Sequence, residues 1–269
     1  MATILPHDDA RRPLLTRIGG ARWVSPLVLL LLWEVGGRTG LIPARTLAAP
    51  SAVLATMGEM IASGELGHNV LVSLGRAGVG LAIGVLVGGL LAIAAGLSRR
   101  GEAAIDSPVQ MLRTLPTLAL TPLFIVWFGI GETPKIVLIA VATTFPVYLN
   151  LYNGIRGVDA RLIEAARAFG LSRGQIVRHV VLPGALPSLL VGLRYALSIS
   201  VLILVVAEQI NAASGLGYLI NNARDFMRTD IIVVCLMVYA TLGLGADAAV
   251  RLIERRSLAW RPTILEARS

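Results

Sequence analysis

Residues 77–98 read AGVGLAIGVLVGGLLAIAAGLS, a run of 22 positions without a charge. A helix rises about 1.5 Å per residue, so this run is long enough to cross the ~30 Å hydrocarbon layer of a bilayer. It does not stand alone. Ile136–Ile155 adds 20 uncharged positions and Thr114–Gly131 adds 18, and the shorter or interrupted blocks Trp23–Trp33, Leu186–Ala207 (broken by Arg194) and Ile231–Ala246 complete the set. Of the 269 residues 55% are hydrophobic and 15% charged, where soluble domains average about 25% charged. The sequence therefore predicts an all-α, polytopic membrane helix bundle of about six transmembrane helices. The expected spans are 22–40, 70–97, 114–131, 134–153, 184–210 and 231–250, in a single domain covering 1–269.

The formal net charge is +8, from 23 arginines and a single lysine against 16 carboxylates. Such a balance can serve nucleic acid, but here the charges lie in short connections between apolar blocks and form no polar domain that could hold a duplex. The expected partner is the lipid membrane, with no nucleic acid. With the N-terminus inside, seventeen basic residues fall on 1–21, 98–113, 154–183 and 251–269, counting Arg22 at the border. Five fall on the other side: Arg38, Arg45, Lys135, Arg224 and Arg228. Basic connections stay cytoplasmic, so both termini are expected inside. The N-terminal arginines Arg11, Arg12 and Arg17 precede no convincing small-residue cleavage site, and the first block reads as a retained span. Cys235 is the one cysteine and lies in an apolar block, which rules out a disulfide framework and marks it as a packing residue.

Gly80, Gly84, Gly88, Ala92 and Gly96 place a small residue at every fourth position of the second span. Such a stripe lets another backbone approach closely, from within the chain or from a second copy. Pro50-Ser51 followed by Val53, Leu54, Met57, Met60 and Ile61 predicts a short amphipathic helix outside, with Ser51 as N-cap and Gly64 as stop. The largely polar stretch 211–230 reads as an outer loop.

The stretch that speaks to function is Asp159–Pro183, DARLIEAARAFGLSRGQIVRHVVLP, on the cytoplasmic side. Asp159 can cap a helix over about 160–168, in which Leu162, Ala165, Ala166 and Phe169 share one face. Gly170 ends that helix, Ser172 and Gln175 form a capping-box pattern for a second, and Pro183 and Pro187 mark a break before the fifth span. The result is a helix–turn–helix elbow that shows an apolar stripe to water, and such a stripe requires a partner groove.

Glu164-Ala165-Ala166, with Gly170 four residues further on and then Leu182-Pro183, resembles the EAA…G…LP loop of permease subunits from ABC importers. Val180 stands where that loop usually has isoleucine. Gln110-Met111-Leu112-Arg113, Trp127-Phe128-Gly129-Ile130, Gly154-Ile155-Arg156 and Ser214-Gly215-Leu216-Gly217-Tyr218 look like the nitrate/sulfonate/taurine branch of these permeases. Leu252-Ile253-Glu254-Arg255 through Trp260 resembles its aliphatic sulfonate members. The resemblance implies a type I ABC importer permease fold in a bacterial inner membrane, working as a homodimer with a second permease copy. It also implies two ATP-binding subunits on the cytoplasmic side and a solute-binding protein outside. Glu164, Ala165, Ala166 and Gly170 would contact the ATPase, with Leu182 and Pro183 anchoring the elbow. No cofactor is expected in this chain, ATP and Mg being held by the partner ATPase.

The residues themselves agree with that division of labour. A phosphate-binding loop needs Gly-Lys-Ser/Thr, and the sole lysine, Lys135, follows Pro134 on the outer side. His7, His68 and His179 fall in different regions, so no catalytic or metal cluster is suggested and no enzyme activity is expected. Charges inside spans require partners. Glu34 with Arg38, and Asp247 with Arg251, are four apart; Arg76 and Glu208 lie at similar depth and form a candidate interhelical pair. Arg194 has no opposite charge three or four positions away. Facing a pathway, it could offer an anionic cargo a forked hydrogen bond; equally, it could lock to a carbonyl or another helix. The resemblance makes aliphatic sulfonates the expected cargo, with taurine, nitrate or a pyrimidine-type vitamin precursor as the alternative within the class; a membrane scaffold or sensor docking a signalling protein is the reading from another class.

Overall fold

The computed structural model describes residues 21–210 and 212–257; the basic N-terminal cluster and the C-terminal Trp260, Arg261 and Arg268 lie outside the described residues. Ten helices follow one another, with no strand among the described residues: α1 Ala21–Arg38, α2 Pro50–Ala62, α3 Glu65–Gly96, α4 Arg99–Leu112, α5 Thr117–Phe128, α6 Glu132–Arg156, α7 Ala160–Ala168, α8 Arg173–Glu208, α9 Leu216–Asp225 and α10 Thr229–Ser257. Helix α6 is the axis of the bundle. Its Leu138, Ile139, Thr143, Val147 and Tyr148 are buried, and α3 and α8 pack along its two sides.

The glycine stripe explains how close that packing is. A Cβ placed on Gly84 would stand 2.0 Å from Thr143 Oγ1, and one on Gly88 would stand 2.5 Å from the Thr144 carbonyl oxygen. Gly80 and Gly96 meet Ile139 and Ile155 in the same way. The stripe is thus spent on the α3–α6 seam within one chain. On the opposite side Gly192 of α8 lies against Pro146 and Asn150, and Gly154 of α6 faces Ser188. Where lipid leaves no hydrophobic force between helices, close contact of this kind supplies the attraction. Thr143, buried in the seam, donates its hydroxyl to the Ile139 carbonyl at 2.8 Å, so no polar group is stranded there.

Among the described residues four helices are long and apolar enough to cross a membrane, α3, α6, α8 and α10, and a fifth span arises if the bent pair α4–α5 is counted as one. The third predicted span, 114–131, is not one straight helix. Pro116 interrupts it, α4 and α5 meet at 87°, and the α-helical part of α5 is only Thr121–Phe128. Eight residues rise about 12 Å, far short of a bilayer. Proline also drives the residue before it out of the helical region, and Gly129 (φ 76°) closes the segment. The first predicted span coincides with α1, whose 18 residues include Glu34 and Arg38 and which falls outside the four.

Two smaller expectations also change. Ala49, not Ser51, is the N-cap of α2, because Pro50 takes the first helical position where a missing N–H costs nothing. The Ser51 N–H donates instead to Glu34 Oε2 at 3.0 Å, tying α2 to α1. The stretch 211–230 is not all loop. It holds α9, whose Leu216, Leu219 and Ala223 bury one face against α8 and α10.

Candidate functional site: a capped elbow and a buried ionic node

The elbow forms from local chemistry. The Asp159 carboxylate accepts the Arg161 N–H at 2.9 Å and starts α7. Gly170 takes the left-handed conformation (φ 79°), letting its own N–H reach the Arg167 carbonyl and the Leu171 N–H reach that of Ala166. The Ser172 N–H then donates to Gln175 Oε1 at 2.8 Å while the Gln175 N–H returns to Ser172 Oγ, a complete capping box. Ala166 turns inward and joins Tyr148, Leu151, Ile155, Ile176, Val181 and Ala185 in an apolar cluster that roots the elbow in the bundle. Glu164 and Ala165 are exposed, Leu162 is 58% exposed and Phe169 84% exposed. A phenyl ring so open to solvent is costly unless a partner covers it.

The predicted break at Pro183 and Pro187 is absent. Arg173–Glu208 runs as one element of 36 residues, with Val177–Val181 widened into a π-helical turn just before the proline. A wider turn accommodates the proline ring and its missing N–H without ending the helix. Leu182 and Pro183 therefore lie inside a continuous helix that carries the elbow's second arm into the membrane bundle.

At the far end of the bundle Arg76 and Glu208 meet, Nη1 to Oε1 at 2.6 Å, with side chains 4% and 0% exposed. Glu132 takes Arg76 Nη2 at 2.8 Å and also its Nε, while Nη1 and Nη2 reach the carbonyl and hydroxyl of Ser214. All five guanidinium N–H groups are thereby occupied by protein. Glu208 is held as fully, accepting from Ser73 Oγ (2.7 Å), the Gly217 N–H (3.0 Å) and the Tyr239 hydroxyl (3.1 Å). Asn69 Oδ1 and Ser73 Oγ of α3 accept the N–H groups of Gly215 and Leu216, and with Glu208 of α8 holding the Gly217 N–H the two helices together cap the start of α9. Gly215 (φ 104°) makes room, since a Cβ there would sit 2.4 Å from Glu208 Oε1. Lys135 joins through Glu132 at 3.1 Å. The sequence pointed to Arg76 and Glu208 but not to Glu132, Ser73, Asn69 or Tyr239; the paired glycines 215 and 217 were the one visible sign of crowding.

Arg194 has its charged neighbours on the last helix. Its Nη2 donates to Glu254 Oε2 of α10 at 2.7 Å, and its Nε lies 3.6 Å from Asp247 Oδ1. It locks one helix to another. Asp247 also pairs with Arg251, as its spacing predicts, and Glu34 pairs with Arg38. Among the described residues no group of three or more His, Cys, Asp or Glu is placed to hold a metal ion.

A membrane helix bundle that sends one continuous helix from its core into a capped, water-facing apolar elbow has the build of a transport permease. Residues 80–258 match the family described as binding-protein-dependent transport system inner membrane component. The chain is similar to the aliphatic sulfonates transport permease protein SsuC of Escherichia coli (strain K12), 46% identical over 90% of this chain and 92% of that protein. It is also similar to the taurine transport system permease protein TauC of the same organism, at 36% over 87% and 86%. Among solved structures an amino acid ABC transporter crystallised with histidines shares the fold, with TM-score 0.58 and 21% identity over 70% of this chain and 92% of that one. This chain belongs to the binding-protein-dependent transport permease family. It is a multi-pass membrane subunit of a transporter and not itself an enzyme.

Proposed function

We propose that this chain is the permease subunit of an ATP-driven importer for aliphatic sulfonates, working as a homodimer around a central path. Two ATP-binding subunits dock on the elbows of residues 159–183 at the cytoplasmic face, and a solute-binding protein delivers cargo from outside. The observation that carries the docking is Phe169, an aromatic ring 84% exposed at the tip of a helix whose every cap is satisfied. Such a rigid apolar tip suits a groove on a partner; Glu164 and Ala165 lie exposed on the same helix, whereas Ala166, expected at the contact, is buried in the bundle and holds the elbow in place. The elbow's second arm begins the element Arg173–Glu208, which supports mechanical coupling: a displacement of that arm is carried along α8 into the bundle. Closure of the ATPases draws the elbows together and turns the path outward; hydrolysis resets it. The sulfonate cargo follows from the 46% identity with the sulfonate permease against 36% with the taurine permease. Both termini stay cytoplasmic, in keeping with the arginine bias.

The test is growth of a deletion strain on single sulphur sources. Loss of growth on alkanesulfonates with growth on taurine intact is expected, restored by the chain supplied in trans. Loss on taurine alone would move the assignment to that cargo. Co-purification separates transport from a scaffold role: an ATPase bound to the wild type and lost on elbow mutation is the expected result.

A further inference from the structure

Between the elbow and the bundle lies a cavity of about 400 Å³ lined by Gly96, Leu97, Ile155 and Val158 on one side and by Ile163, Ile176, Val177 and Val181 on the other. Three arginines also line it, Arg156, Arg167 and Arg173. Arg156 is paired with Glu102 at 3.0 Å. Arg167 and Arg173, both exposed at its mouth, form no ion pair or side-chain hydrogen bond with any described residue, so two guanidiniums at the rim are free to take an anion. An apolar wall with two uncompensated guanidiniums fits an anion attached to a hydrocarbon.

The position of the cavity selects which anion. Gly96 ends α3 and Arg156 ends α6, two of the membrane-crossing helices, so the cavity opens where these spans leave the hydrocarbon layer. From it an apolar track leads back into the membrane. Leu97, Leu90 and Leu86, spaced seven and four apart, lie on one face of the α3 segment and are all exposed. We propose that this cavity holds the phosphate headgroup of an anionic membrane phospholipid, with Arg167 and Arg173 as its counter-charges and an acyl chain lying along Leu97, Leu90 and Leu86. The volume accommodates a headgroup, and the tail remains outside in the bilayer. A lipid held there bridges the end of the bundle to both arms of the elbow, since Arg167 stands on α7 and Arg173 on α8.

The test uses the full-length chain in neutral detergent, titrated with dihexanoyl phosphatidylglycerol and followed by native mass spectrometry. At about fivefold per arginine, the double variant Arg167→Gln/Arg173→Gln is expected to bind about twenty-five-fold more weakly than wild type. Arg161→Gln/Arg178→Gln removes the same charge from elbow positions outside the cavity and is expected to bind within about twofold of wild type. Dihexanoyl phosphatidylcholine, inorganic phosphate and hexanesulfonate serve as comparators and are each expected to compete weakly. Equal competition by phosphate or by hexanesulfonate would make the ligand a soluble anion and overturn the lipid assignment. Equal weakening in the control pair would reduce the effect to diffuse attraction. Loss of a co-purifying ATPase from the double variant, with lipid binding unchanged, would assign the arginines to a protein contact. Should the double variant fail to keep its helical circular dichroism, Arg173→Gln alone is read, with about fivefold weakening expected.

Discussion

The Arg76 guanidinium and the Glu208 carboxylate meet at 2.6 Å in a place neither solvent nor lipid reaches, and between them they hold five helices together. Arg76 stands on α3 and reaches Glu132 of α6; Glu208 ends α8 and gathers Tyr239 of α10 and the first turn of α9. Removing one member leaves the other charged and buried. Glu208→Ala should lower stability by about 3 kcal/mol, the low end for breaking a buried pair because Glu132 still faces Arg76. Thermal unfolding in detergent measures it; a shift of the size seen for a surface mutation would mean that the node is not a fastening.

The glycine seam invites a paired comparison on one helix. Gly84→Ala drives a Cβ into Thr143 and should cost about 1–3 kcal/mol, parting α3 from α6. Gly89, five positions on, meets nothing within 4 Å, and Gly89→Ala should be close to neutral. Equal effects of the two substitutions on unfolding temperature would refute the assigned seam.

Arg194 is expected to matter little for cargo. It is 40% exposed and paired with Glu254 and Asp247, so Arg194→Gln should cost less than about 1 kcal/mol. The half-saturation concentration for sulfonate uptake should stay within about twofold of wild type. A tenfold rise would place this side chain on the pathway after all.

The elbow gives the sharpest functional test. Phe169→Asp and Glu164→Lys change exposed positions and should leave membrane insertion and unfolding temperature unchanged while uptake falls at least tenfold, an effect of about 1.4 kcal/mol or more at the contact. Gly170→Pro acts differently, because a proline φ near −65° cannot reproduce the +79° of the turn. It should abolish transport and also loosen the packing of Ala166. Normal uptake in all three variants would remove the coupling role from residues 159–183.

Much of this protein was legible in its sequence because the information was local. Long uncharged runs required helices at membrane length, Asp159, Gly170, Ser172 and Gln175 spelled out the caps of the elbow, and Asp247 and Arg251 announced their pairing by spacing alone. Reading failed where two local signals competed. Thr114–Gly131 was apolar enough for a span, yet Pro116 broke the helix that a span needs. Pro183 looked like a break, and a π-turn absorbed it.

By itself, then, the amino-acid order determined the helical membrane class, the place of the elbow and the shape of its caps, since hydropathy, helix caps and i, i+4 pairs are settled within a few residues of chain. Which charges meet was decided only by the tertiary structure. Glu208 finds Ser73 and Arg76 across more than 130 positions, and Arg194 finds Glu254 across 60. The partner of a buried charge is whichever opposite group the packing of whole helices brings within reach, and in this bundle a row of glycines sets that packing.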